Sequence, residues 1–246
     1  MKDISTVVWK ELSEFWRARG GSRARLMSFL PIFFVFGVFW PLQGREAWVT
    51  VPFLPGFLFM ILPLTLAGGT AADSFAGERE RHTLETLLAT RLSDRDIFAG
   101  KVLATTIYCT ALVWACALIS LITLNVSRGS NPIFWYSEIS VFLIALGTPL
   151  LAVLMTAIGV LVSLRAATVR SAAQTFSIVT LLVFIGVPLL IQALPPAMQA
   201  SLVEMVATAN MTLVALAAGT VVLAASIALL ALGIARFQRT RLILEE

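Results

Sequence analysis

The sequence predicts an all-α integral membrane protein: six transmembrane helices, an N-terminal amphipathic interfacial helix, and a cytoplasmic helix between spans two and three. Three observations predict it. First, 59% of the 246 residues are hydrophobic and 13% are charged, with a mean hydropathy of +0.91. A soluble domain carries about a quarter charged residues, and this composition would leave large apolar patches in water. Second, apolar runs long enough to cross roughly 30 Å of hydrocarbon fall near 26–43, 49–72, 102–124, 139–163, 175–194 and 209–235. Third, the basic residues gather at alternate ends of those runs. The whole chain, 1–246, is therefore read as a single transmembrane domain with no separate soluble domain beside it.

Residues 3–18 come first. Ile4, Val7, Val8, Leu12, Phe15 and Trp16 recur at helical spacing, with Lys10, Glu11, Glu14 and Arg17 between them. This is the pattern of an amphipathic helix lying in the headgroup region. No cleavable leader is expected, because the first apolar run starts only near Leu26, behind a long charged segment. In span two, Pro52, Pro55 and Pro63 predict a kinked or broken outer half. Gln43 to Trp48 is short enough to demand a tight hairpin, with Trp40 and Trp48 placed at its mouth as an aromatic belt. The link after Leu194 opens with Pro195-Pro196 and continues as a stretch able to form a short outer helix.

Charge placement predicts orientation. Sixteen of the eighteen Lys and Arg residues flank one side, and only Arg45 and Arg128 lie on the other. The positive-inside rule then puts both termini and residues 73–101 in the cytoplasm, as expected for a multi-pass protein of the cell inner membrane. The net charge of +4 is spread over helix ends rather than gathered on one soluble patch, so nucleic-acid binding is not expected. The lipid bilayer is the first partner. Cys109 and Cys116, seven residues apart in one apolar run, are separated by roughly 10 Å of helical rise, too far for a disulfide.

Chemistry inside the membrane is hard to find. The six spans carry no ionisable residue near their centres, whereas ion-coupled carriers use such groups. His82 is the single histidine, so neither a metal site nor a Ser–His–Asp set can be assembled. A membrane-embedded enzyme is thus disfavoured, and no catalytic or metal-binding residue is assigned. A phosphate-binding loop needs G-x-x-x-x-G-K-[ST]; the nearest string, Arg95 to Val102, lacks the first glycine and the hydroxyl residue. The chain cannot be its own ATPase, and it carries no cofactor.

The segment 73–101 holds six acidic and five basic residues. Asp73 or Ser74 is expected to cap a helix bearing the stripe Leu84, Leu87 and Leu88. Ser93-x-x-Asp96 forms a capping-box-like start to a second helix that runs into span three. A loop that mixes both signs around a leucine stripe suits docking to a protein as well as it suits a solvated surface.

Glu78 to Leu88 reads E-R-E-R-x-T-L-E-x-L-L, and Gly100-Lys101 follows. This resembles the permease subunits of ABC-2 type transporters, at motif level over 73–101 and in layout over nearly the whole chain. The resemblance implies a half-transporter, an exporter, that pairs with a second permease copy or paralogue and with two copies of an ABC ATP-binding subunit carrying ATP and Mg. It implies that 73–101 contains the coupling helix. Carried onto this sequence, Glu78, Arg79, Glu80, Arg81, Thr83, Leu84 and Glu85 become contact or support residues for the ATPase, with Trp9, Leu12 and Trp16 as a second element near it. Reversing Glu78 and Glu85 together is then expected to weaken ATPase association without blocking insertion. Gly159, Gly186 and Gly219 could permit close helix approach. The substrate-binding residues cannot be read. The alternatives are a haem-exporter-type permease of cytochrome c maturation, suggested by Gly147-Thr148-Pro149, and a stand-alone channel or scaffold that needs no ATPase.

Overall fold

The structure is a computed structural model that describes residues 2–17, 27, 29–83, 91–129, 133–208 and 210–236. Ten helical elements account for its fold, and no strand occurs among the described residues. They are α1 Lys2–Arg17, α2 Phe29–Gln43, α3 Arg45–Thr50, α4 Leu54–Phe59, α5 Ile61–Glu80, α6 Asp94–Arg128, α7 Glu138–Arg165, α8 Val169–Gln192, α9 Pro196–Thr208 and α10 Met211–Arg236. Among the described residues, four stretches are long and apolar enough to cross a membrane: Leu54–Glu80, Asp94–Ser127, Glu138–Arg165 and Thr212–Ala235. Phe29–Gln43 is a shorter apolar helix, and α8, at 24 residues, is about 36 Å long at 1.5 Å per residue. The protein is an all-α membrane protein.

Prolines break the second apolar run. The chain turns at 51–53, makes the short α4 with Pro55 in its first turn, and restarts as α5 after Met60. The Pro52 carbonyl left outside any helix accepts from Ser137 Oγ and, at 2.6 Å, from Ser140 Oγ, while Gly56 N–H donates to Ser140 Oγ at 3.2 Å. Side chains of the α7 start thus satisfy backbone groups that a broken helix would leave bare in lipid. Pro149 has a similar effect on α7, whose residues Leu143–Gly147 widen into a π-helix. The Ile144 carbonyl there accepts from Thr148 Oγ1 at 2.6 Å and from Trp114 Nε1 at 3.1 Å.

Trp48 is 3% exposed and lies against Phe59 and Tyr136 at ring-centroid distances of 5.8 and 6.4 Å. The belt role expected for it is therefore corrected: folding back of α3 and α4 carries this indole inside. The expected helix start at Asp73 or Ser74 is also replaced, because α5 runs unbroken from Ile61 to Glu80. Ser74 Oγ instead donates to the Ala71 carbonyl at 2.6 Å.

α5 lies at the centre, against α6, α7 and α8. A Cβ on Gly159 of α7 would come 2.6 Å from Ala71 Cβ of α5, so the missing side chain sets how closely these two helices approach. Gly186 and Gly219 meet nothing within 4 Å. α1 packs along the first turns of α6, where a Cβ on Gly100 would lie 2.5 Å from Val7 Cγ1. Phe75, Ile97, Phe98, Val102 and Val160 close the core beside that junction.

Candidate functional site

The charged end of α5 is where the chain concentrates its polar contacts. Lys101, in the second turn of α6, is 2% exposed. Its ammonium donates to Glu11 Oε1 of α1 at 2.8 Å, to the Ser74 carbonyl at 2.9 Å and to Glu78 Oε1 at 3.1 Å. It also sits 5.1 Å from the centre of the Phe75 ring, within reach of its negative face. Lys10 reaches the same Glu78 oxygen at 3.1 Å and Glu14 at 3.4 Å. Two buried carboxylates and two ammonium groups thus tie α1, α5 and α6 together, and Glu78 Oε2 has no hydrogen-bond partner among the described residues. Burial acts to lower the Lys10 pKa, but the charges of Glu78, Glu11 and Glu14 and the Glu78 hydrogen bond outweigh it and hold the pKa above its ordinary value.

Arg79 and Glu80 each reach a different helix end. Arg79 donates from Nη1 to the Ala166 carbonyl at 2.7 Å and from Nη2 to Leu164 O at 3.2 Å. This planar fork caps the C-terminus of α7, whose last carbonyls have no partner within the helix. Glu80 Oε2 accepts from the Val169 N–H at 3.1 Å, which places a carboxylate at the positive start of α8. Arg81 returns to Asp73 at 3.0 Å across the exposed side of α5. Ser163 Oγ of α7 accepts from Phe75 N–H and Ala76 N–H at 3.2 and 2.9 Å.

His82 closes α5. It has a φ of 54°, and the His82 N–H donates to Arg79 O at 3.1 Å while the Thr83 N–H donates to Glu78 O at 2.9 Å. That pair of bonds is a Schellman cap, and the Thr83 hydroxyl adds a bond to the same Glu78 carbonyl at 3.3 Å. Beyond it, Leu84 and Glu85, with Leu87 and Leu88, lie outside the described residues. The second helix starts as expected: Ser93 Oγ accepts from the Asp96 N–H at 3.2 Å and donates to Asp96 Oδ2 at 2.6 Å.

Sequence reasoning placed Glu78 among contact or support residues and counted Lys101 as a loop charge. Glu78 is 5% exposed and lies between Lys10 and Lys101. Lys101 is corrected to a buried helical position. Lys101 was named only as part of the Gly100-Lys101 pair and Glu11 only as a polar residue of α1, and the burial of neither was foreseen, although a signal existed. Glu11 falls four residues after Val7 and four before Phe15, on the apolar stripe of α1; Lys101 falls in register with Ile97, Phe98 and Val102. A charge inside an apolar stripe needs a partner when that stripe is buried.

On α1, Trp9 is exposed and Leu12 half-buried, beside a groove shared with Phe15, Ile107 and Tyr108. The Trp16 side chain is outside the described part. Among the described residues no group of His, Cys, Asp and Glu is placed to hold a metal, and Cys109 and Cys116 are buried free thiols.

A profile of the ABC-2 type transporter family matches residues 2–216. The chain belongs to the ABC-2 type transporter family. The match runs from α1 into α10 and so takes in every helix that the charged cluster joins. A search of curated proteins finds no match. The permease is a membrane component of its transporter and not an ATPase.

Proposed function

We propose that this permease is half of the translocation path of an ATP-driven exporter, and that the end of α5 transmits the movement of a separate ATP-binding subunit to the bundle. Two ATP-binding subunits, each with ATP and Mg, and a second permease copy or paralogue complete the assembly. The N- and C-termini and the 73–101 segment face the cytoplasm, from the inner membrane. The coupling segment is 78–85, with Arg81, Thr83, Leu84 and Glu85 on the docking side and Glu78, Arg79 and Glu80 as its support. Trp9, Leu12 and Trp16 form a second element near the ATPase.

One observation carries this reading. Three consecutive residues, Glu78, Arg79 and Glu80, hold α1 with α6, the end of α7 and the start of α8. Removing one partner from the buried Glu78–Lys101 cluster costs about 3–5 kcal/mol, so α1 and α6 follow the end of α5 instead of slipping past it, and the bonds of Arg79 and Glu80 link α7 and α8 to the same end. A push on residues 81–85 is then delivered to four helices at once. Closure of two ATP-binding subunits supplies such a push, and the bundle responds by opening the path to the outer side. The permease itself makes and breaks no covalent bond.

The test is co-purification of the tagged full chain from its host in a mild detergent. Recovery of a soluble subunit with a phosphate-binding loop is expected. A chain that emerges alone, under conditions in which comparable complexes survive, would overturn the proposal and favour a stand-alone channel or scaffold.

A further inference from the structure

Beside the Arg79 anchor lies a cavity of ≈ 570 Å³ between the end of α7, the start of α8 and α10. Arg165, Ser171 and Thr175 give it a polar lining, and Ile158, Leu229 and Leu232 an apolar one. Arg165 is the last residue of α7 and is exposed. Among the described residues it has no acidic partner at ion-pair distance. Ser171 Oγ donates to Thr168 O and Thr175 Oγ1 to Ser171 O, both at 2.9 Å; rotation about the C–O bond would turn either hydroxyl hydrogen to another acceptor. The nearby start of α8 is already taken, since the Val169 N–H donates to Glu80. Anion selection in this cavity therefore falls to the guanidinium and the hydroxyls.

We propose that this cavity holds an anionic phospholipid, its phosphate on Arg165, Ser171 and Thr175 and its acyl chains along Ile158, Leu229 and Leu232. The polar and apolar lining match the two ends of such a molecule. An unpaired guanidinium at a helix end offers a fork of donors to phosphate, and basic pockets between membrane helices recognise anionic headgroups. The apolar side continues the lipid-facing surface of α10, so the tails need not leave an apolar setting. A second cavity of ≈ 370 Å³, near Met60 and Ala218, offers only apolar side chains and has nothing with which to choose a headgroup. The Ala166 carbonyl that Arg79 holds belongs to a residue lining the charged cavity. A lipid there would brace the same α7–α8 turn that the end of α5 grips.

The experiment counts lipids retained by the purified full chain, by native mass spectrometry, after exchange into micelles doped with phosphatidylglycerol or phosphatidylcholine. The wild type should prefer phosphatidylglycerol about fivefold, the factor expected for one arginine at an anionic surface. Arg165→Gln should bring the ratio near one, and Leu229→Trp should lower retention of both lipids. A photoactivatable phosphatidylglycerol on the wild type, which needs no variant to fold, should label 158–175 and 229–232. An unchanged preference in Arg165→Gln, or labelling confined to other segments, would overturn the proposal. Binding of glycerol phosphate as tight as that of the lipid would overturn it in favour of a plain phosphate site.

Discussion

Lys101 Nζ lies 2.8 Å from Glu11 Oε1, and ninety positions of sequence separate the two residues. The contact makes α1 part of the bundle instead of a helix floating on the headgroups. Removing one of the two alone leaves the cluster with an excess charge, at a depth with little water to solvate it.

Lys101→Met should therefore lower stability by about 3–5 kcal/mol, the cost of an uncompensated buried charge. The double variant Glu11→Leu/Lys101→Met should recover most of that loss, since Lys10 still faces Glu78. Thermal unfolding in detergent across the four-member cycle measures the coupling. Additive losses would mean that the two groups do not act as a pair.

Arg79→Met should cost about 2 kcal/mol, because two carbonyls at the end of α7 lose charge-assisted bonds. If the end of α5 acts as the transmission, this variant should still bind the ATP-binding subunit but lose nucleotide-driven transport. The paired measurement is co-purification and transport in proteoliposomes. Transport at the wild-type rate would remove Arg79 from the coupling path.

Reversal of Glu78, which the sequence suggested as a docking test, would set a third cation beside Lys10 and Lys101 and confound docking with folding. Arg81→Glu is the cleaner probe. The Arg81–Asp73 pair is exposed, with Arg81 at 56%, so stability should change by less than about 1 kcal/mol. Association with the ATP-binding subunit should weaken about tenfold, or roughly 1.4 kcal/mol. Undiminished affinity in a binding titration would take Arg81 off the docking side.

His82→Gly should stabilise the protein by about 1 kcal/mol, since a side chain in the left-handed region is strained by that order and glycine is not. A higher melting temperature with unchanged ATPase association is the expected result. Destabilisation would show that the imidazole makes a compensating contact.

Lys10 gives a pH signature. Its folded pKa is raised above the ordinary 10.5, so its contribution is fully present below that value and is lost as pH rises through the folded pKa. Above about pH 10.5, wild type should lose stability more steeply than Lys10→Met. Parallel melting curves against pH would show that Lys10 is not held by these carboxylates.

The family motif at Glu78–Leu88, the proline-broken second run and the Ser93–Asp96 cap were all legible in the sequence. Each depends on residues near one another along the chain: a missing N–H, a hydroxyl three residues from an amide, a local string. The partners of the motif were not legible. Glu78 could be read equally as a surface charge or a buried one until α1 and α6 were brought against it, and nothing local to Arg79 points to the Ala166 carbonyl.

By itself, then, the sequence determined the membrane class, the helical content and the place where charge collects, because apolar run length and composition act through solvent transfer alone. Only the tertiary structure decided that Lys101 and Glu11 are interior, that Trp48 is core, and that three adjacent residues hold four other helices. Those facts depend on which helix faces which. That choice is made by close approach at Gly100 and Gly159 and by matching buried charges across distances in sequence that no periodicity encodes.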